Sequence, residues 1–374
     1  MLHHMRCFNH GLHRRLLFSL LIISATAAAE PAKLRIGFIC AAGPDHPFWG
    51  QVAQVMQAAA NDLDIDLIVK YDLSRSSYAS KKAGIQLLGS DPKLDYMLTP
   101  YWGSVTPAHL EYAQQHGIKV FAFNSDVPEA EYEEVGQFPR QKYANWIGHM
   151  VPDDKVAGYD LAAALFERAR KTNGATRISV LALNGPFEST VGTSRLAGLK
   201  SKVEEESGAV LEDVVLTNWE AGAASKTAAD LLTKYPGVDV LWAPNESITW
   251  GALLAVEKSG KTPGKDIYIG GFDWNPESAK AIADGRITAS MFGHFLEGAW
   301  ALILAHDYHH GFDFADDKGV RITTPLNIIN AGNYKQYTNL LQEGNWEQVD
   351  FRKFSKKYNP QLKSYNFNIS QFLE

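Results

Sequence analysis

The sequence predicts an α/β protein made of two doubly wound parallel-sheet lobes joined by a multi-strand hinge. Short apolar runs alternate with helix-spaced segments along most of the chain, the pattern of parallel strands covered by helices on both faces. The alternation breaks near residues 124–153, in a stretch rich in Pro, acidic and aromatic residues, and resumes beyond it. The chain has 374 residues, enough for two domains at ~150 residues each once a leader is removed.

Leu34-Arg35-Ile36-Gly37-Phe38-Ile39-Cys40 reads as a buried strand. Phe48 to Leu63 reads as the helix after it, with Val52, Val55, Met56 and Ala59 on one face. Further strands are expected at 65–71, 94–98, 118–123, 177–183, 210–216, 238–242, 266–270 and 287–291. Helices are expected near 76–89, 104–116, 154–171, 192–207, 221–235, 246–259, 275–284 and 294–310. Right-handed crossovers leave few topologies for such a series. The broken stretch marks the change of lobe. It sets the first lobe at 33–148 plus 294–328 and the second at 149–293, with chain crossings near 124–150, 293 and 328. Residues 329–374 are polar and aromatic without alternation, and are expected to form an extension packing on the lobes.

The amino terminus reads as a cleavable signal peptide over 1–29. Arg6, Arg14 and Arg15 precede the apolar run Leu16 to Ile23, and Ala25-Thr26-Ala27-Ala28-Ala29 supplies small residues for cleavage. The run is too short to anchor in a bilayer, so a free periplasmic protein is expected. Cys7 leaves with the leader and Cys40 has no intrachain partner; a chain of this size relies on its core rather than on disulfides. Losing three Arg takes the 36 basic residues to 33 against 42 acidic ones, a net near −9. That balance gives no basic excess for nucleic acid. The acidic run Glu129 to Glu134 reads most simply as a solvated surface loop, and the protein is expected to be a monomer.

Ligands of open parallel sheets bind outside the carboxyl ends of the strands, so the residues just after each strand carry the functional information. They include His46, Phe48, Trp49, Asn124 and His149 in the first half, and Arg195, Trp219, Asn245, Asp273 and His294 in the second. Aromatic rings alternate here with amide, carboxylate, imidazole and guanidinium groups. A sugar-like ligand needs that mixture, because its C–H faces pack on rings while its hydroxyls need donors and acceptors. Each residue also has a purely structural reading. Asn245 and Asp273 would serve as helix N-caps, His46 as a residue preceding a helix, and Trp49 as a core ring. Trp102 and Trp274 are candidates for the rim. The cluster His306, His309 and His310 has the spacing of a metal site, but equally suits a solvated last helical turn.

Four segments resemble the ribose/galactose-type sugar-binding family of type I periplasmic binding proteins. His46-Pro47-Phe48-Trp49 is similar to that family's Asn-Pro-Phe-Phe, and Ser194-Arg195-Leu196-Ala197-Gly198 to its Arg-x-x-Gly turn. Asn245-Glu246 with Gly251-Ala252 is similar to Asn-Asp-x-x-Ala-x-Gly-Ala, and Gly270-Gly271-Phe272-Asp273 to Val-Gly-Phe-Asp. The resemblance implies stacking rings at Phe48 and Trp49, a further ring at Trp219, and hydroxyl-binding groups at Arg195, Asn245 and Asp273. It departs at Asn124-Ser125, where the family has Asp-Arg, and at Gly293-His294, where the family has Gln. The chain also resembles periplasmic autoinducer-2 receptors at Trp49, Asn124 and Arg195, although Asp273 departs from them.

His-Glu-x-x-His, Walker-type and Gly-x-Ser-x-Gly patterns are absent from the chain, so the expectation is a binding protein without cofactor or metal rather than an enzyme. Glu188, Glu246 and Asp273 are the carboxylates a glycosidase reading would have to use. The binding reading implies capture of a sugar or polyol by lobe closure and delivery to the permease of an ATP-driven importer. The alternative partner is a membrane sensor kinase or chemoreceptor.

Overall fold

A computed structural model describes residues 33–74, 76–174, 176–338 and 345–372; the leader expected over 1–29 lies outside them. The first half alternates β1 (Leu34–Cys40), α1 (Trp49–Asp62), β2 (Ile65–Tyr71), α2 (Ser77–Leu88), β3 (Tyr96–Pro100), α3 (Thr106–Gln115), β4 (Lys119–Phe123), the short α4 (Tyr132–Val135) and β5 (Trp146–Pro152). The second continues with α5 (Asp154–Asn173), β6 (Ile178–Asn184), α6 (Thr190–Glu205), β7 (Ala209–Leu216), α7 (Ala221–Lys234), β8 (Val240–Trp242), α8 (Glu246–Lys258), β9 (Tyr268–Phe272), α9 (Pro276–Ala283) and β10 (Ala289–Phe292). After α10 (Glu297–His309) and α11 (Ala315–Lys318), two short strands follow, β11 (Arg321–Thr324) and β12 (Asn327–Asn330), then α12 (Tyr334–Thr338).

Two six-stranded sheets result, ordered β11-β5-β4-β3-β1-β2 and β12-β10-β9-β8-β6-β7. The order is the same in both, so β1 to β5 correspond one by one to β6 to β10. Neighbours run parallel except β12, which is antiparallel to β10. Both faces of each sheet are covered, which is why its strands read as continuous apolar runs. Phe38 and Phe121 pack under α1 and α10, and Ile39 and Val120 under α2 and α3. In the second sheet Val180 and Tyr268 face α5, while Leu181 and Ile269 face α7 and α8.

The chain crosses between the sheets at Asp153, at Gly293 and between Thr324 and Asn327. The broken stretch after β4 is therefore a connection within the first sheet. It returns as β5, whose Val151 and Pro152 still pair with β11. Composition signalled the interruption, but the apolar strand behind it marks where the sheet ends. β12 lies in the second sheet, so the last crossing precedes residue 327. The helices following the fifth strand of each sheet change sides: α5 packs on the second sheet and α10 on the first.

Residues 345–372 wrap the first lobe. Trp300 of α10 is ringed by Phe354, Phe367 and Phe372 at 4.9, 5.1 and 5.4 Å between centroids. The buried Asp307 carboxylate accepts from Ser355 Oγ, the Lys356 amide and Tyr365 Oη. His306 pairs with that same Asp307, and its ring stacks on Tyr358. His306 thus faces this extension, whereas the His309 ring meets Tyr96 of β3 edge to face. Among the described residues no group of three or more His, Cys, Asp or Glu is arranged to hold a metal ion.

The α5–α6 contact fixes α6 against the second lobe. A methyl group at Gly158 would lie 2.0 Å from the Arg195 carbonyl oxygen, and one at Gly198 would lie 2.0 Å from that of Lys155. The glycine of the Arg-x-x-Gly turn is thus needed for two helix backbones to touch. Gly198→Ala is expected to lower stability by about 1–3 kcal/mol, because the helices must separate. Urea unfolding measures this, and unchanged stability would contradict the close contact.

Candidate functional site

A cavity of about 500 Å³ opens at the carboxyl ends of both sheets. The loops after β1, β3 and β4 line it from the first lobe, and those after β6, β7, β8, β9 and β10 from the second. His46, Phe48, Trp49, Asn124, Arg195, Trp219, Asn245, Asp273 and His294 are all brought to its wall. His149 is not. It sits mid-strand in β5, fully buried, with Nε2 donating to the Ser125 carbonyl at 2.8 Å and its ring stacked on Tyr101. Burial pushes its pKa down to about 4, so it is a neutral prop beneath the Asn124 loop. Of the two rim candidates, Trp102 lines the cavity, while Trp274 is buried against Phe292.

Aromatic rings form one wall. Phe48 meets Trp49 edge to face at 5.0 Å and stacks on the His294 ring at 4.8 Å. His46 Nδ1 accepts from the amides of Phe48 and Trp49, both at 3.2 Å, and so closes the start of α1 as a cap does. Trp219 supplies a ring from the second lobe. Its φ is +62°, and a methyl at Gly185 would come within 2.2 Å of its indole, so the ring packs directly against bare backbone. A bulky residue in the left-handed region stores strain that the surrounding contacts must hold.

Asn124 and Asp273 occupy matching positions after the fourth strand of each sheet. Both have positive φ, +71° and +74°, and both amides donate 2.9 Å bonds to the adjacent strand, at Met150 and Met291 respectively. Asn and Asp tolerate this conformation better than other side-chain-bearing residues. Asn245 uses Oδ1 to cap α8 through the Ile248 amide at 2.9 Å, so its capping role is real while its side chain also borders the cavity. Asp273 does not cap α9; Asn275 does, through Ser278.

A buried polar network runs beneath these groups. Arg195 is 2 % exposed. Its Nε donates to Asp154 Oδ1 and its Nη1 to the Pro244 carbonyl, each at 2.6 Å, and the guanidinium lies over the Phe272 ring at 4.0 Å. Its Nη2 is 3.2 Å from His294 Nε2, which in turn is 3.0 Å from Asp273 Oδ1. Burial alone would raise the Asp273 carboxyl. The His294 bond, the Arg195 charge and the Glu246 amide together outweigh it and hold the group below the usual carboxylate range.

Besides Asp154, two more acids lie outside the residues expected to bind the ligand, although a glycosidase reading would use Glu246. Glu246 lines the cavity and accepts from Trp250 Nε1 and Ser278 Oγ; burial lifts its pKa to about 7. Glu297 begins α10 just past the second crossing and accepts from Thr324 Oγ1 at the third. Burial, aided by the Asp154 charge, lifts its pKa to about 8. Asp154 and Glu297 read in sequence only as acidic first-turn residues that suit a helix dipole. Nothing local shows that the crossings bury them.

Two α/β lobes that meet over a cavity of rings, amides and paired charges define a bilobal ligand-binding protein. A family model described as periplasmic binding protein domain matches residues 36–310, and the chain belongs to that family. It is 24% identical over 280 residues to the ribose import binding protein of Escherichia coli, covering 74% of this chain and 84% of that one. Identity to the D-allose-binding periplasmic protein of Escherichia coli is 21% over 272 residues, covering 73% and 81%. The crystal structure of a periplasmic sugar-binding protein from Pseudomonas fluorescens superposes with a TM-score of 0.80 at 28% identity, covering 91% of this chain and 99% of that one.

The raised Glu297 carboxyl sets a pH dependence. Its folded form prefers the proton, so stability is full near the ordinary carboxylate pKa and falls as pH rises from about 4.5 to about 8. Glu297→Gln mimics the protonated acid. It is expected to stabilise the protein by about 2–4 kcal/mol at pH 8.5 and to change little at pH 4.5. Urea unfolding at the two pH values tests this, and a gain confined to low pH would contradict the burial argument.

Proposed function

We propose that this protein captures a neutral, polyhydroxylated sugar by closing its lobes, and delivers it to an ATP-driven importer in the periplasm. One observation carries the reading. Rings of the first lobe, Phe48 and Trp49, face the amide, guanidinium and carboxylate groups of the second lobe across one cavity. Rings suit the C–H faces of a sugar, and the polar groups suit its hydroxyls. Arg195 is already compensated by Asp154, with Asp273 close by through His294. The wall therefore holds no uncompensated cation for a phosphate or carboxylate, which favours an uncharged ligand. The relatives named for ribose import and allose binding point to the same class. Closure supplies the signal to the importer, since a ligand touching both lobes shifts the equilibrium by its differential affinity for the closed state.

A thermal-shift panel of D-ribose, D-allose, L-arabinose, ribose 5-phosphate and glucuronate tests the ligand class. A neutral sugar is expected to raise the melting temperature by mass action, and the two anions are not. For that sugar, Trp49→Ala is expected to weaken binding by about 1–3 kcal/mol in calorimetry. Asp273→Ala should cost more than Asp273→Asn, because the amide keeps one acceptor. Stabilisation by the anions alone, or unaltered affinity in Trp49→Ala, would contradict the reading.

A further inference from the structure

Apart from the chain crossings, the two lobes also touch between the loop after β4 and the start of α6. The Asp126 amide donates to Thr190 Oγ1 at 3.1 Å, and the same hydroxyl donates back to the Asp126 carbonyl at 3.2 Å. Asp126 follows β4 in the first lobe, and Thr190 is the first residue of α6 in the second. Both ends are braced. The Asp126 carboxylate is held by Arg321 Nη2 and by its own Val127 amide, and the loop beneath it by His149 through the Ser125 carbonyl. On the other side Ser189 caps α6 through the Gly192 amide, and Thr193 Oγ1 bonds the carbonyls of Ser189 and Thr190. The same loop presents Asn124 to the cavity and the same helix presents Arg195.

We infer that Thr190 is a positioning residue: its hydroxyl clasps the Asp126 main chain to hold the cleft shut and so sets how long a bound sugar stays. The inference rests on the lobe-closure reading above. A single hydroxyl serving as both donor and acceptor to one backbone position forms only when the lips meet in register. The clasp thus forms whenever the lobes come together, with a sugar or without one, and breaks when they part. Such a contact slows release and leaves the encounter untouched, because the sugar enters while the lips are apart.

Three proteins test it: wild type, Thr190→Val, which keeps the shape and loses the hydroxyl, and Thr190→Ser, which restores it. Release of D-ribose, or of D-allose where that sugar stabilises more, is followed by stopped-flow tryptophan fluorescence. Thr190→Val is expected to release the sugar about tenfold faster, from two lost hydrogen bonds. Its association rate stays unchanged and Thr190→Ser behaves as wild type. Arg321→Gln, which loosens Asp126 from outside the cavity, should move release in the same direction by less. Hydrogen exchange at the Asp126 amide in sugar-free protein gives a second reading that needs no sugar. Faster exchange in the Val variant alone supports the clasp. A wild type silent to every sugar on the panel would count against the sugar reading, and the exchange data would then decide the clasp. Equal exchange in all three proteins, with equal release rates wherever a sugar binds, would overturn it.

Discussion

Everything in the cleft depends on how a buried guanidinium is neutralised where the chain changes lobes. Arg195 belongs to α6 of the second lobe, yet its strongest partner, Asp154, opens α5 directly after the first crossing. His294, at the second crossing, links Arg195 to Asp273. Removing Asp154 would leave the Arg195 guanidinium buried without its direct counter-charge, which costs far more than the pair itself contributes. The network therefore fixes Arg195 and Asp273 relative to two hinge strands. Cavity-lining groups of the second lobe are consequently tied to the chain crossings.

The matched strand order explains why two loops so far apart in sequence have the same local form. Asn124 and Asp273 end the corresponding strands β4 and β9, with the same left-handed backbone and the same amide bond to the next strand. What distinguishes the lobes is chemistry: the Phe48–Trp49 pair of rings on one side, the buried Arg195–Asp154 pair with Asp273 on the other. The swap of α5 and α10 between sheets makes the crossings short and places Asp154 and Glu297 at the interface. The aromatic wrap around Trp300 packs into the same core as Phe48 and Trp49.

Much of this was legible in the sequence because buried parallel strands and helical spacing leave strong patterns. The residues after each strand could be named as cavity-facing, and His46, Phe48, Trp49, Asn124, Arg195, Trp219, Asn245, Asp273 and His294 are at its wall. His149 shows the limit of that rule. It lies three residues before the end of β5, so it reaches only the underside of a loop, whereas His294 lies just beyond β10 and reaches the cavity. Strand ends depend on pairing with β11, a four-residue strand from 172 positions away, and no local pattern reveals it. Asp154 and Glu297 were equally silent, because their partners come from segments that meet only at the assembled crossings. Asp126 and Thr190 fall in segments read as cleft-side, but nothing local pairs two positions 64 residues apart.

The central claim is that one ligand engages both lobes and draws them together about this network. Small-angle X-ray scattering of the wild-type protein, with and without saturating D-ribose or D-allose, measures that motion most directly. The account predicts a smaller radius of gyration with the bound sugar. A sugar that binds tightly and leaves the scattering profile unchanged would contradict it, and would leave a rigid pocket in place of a closing clamp.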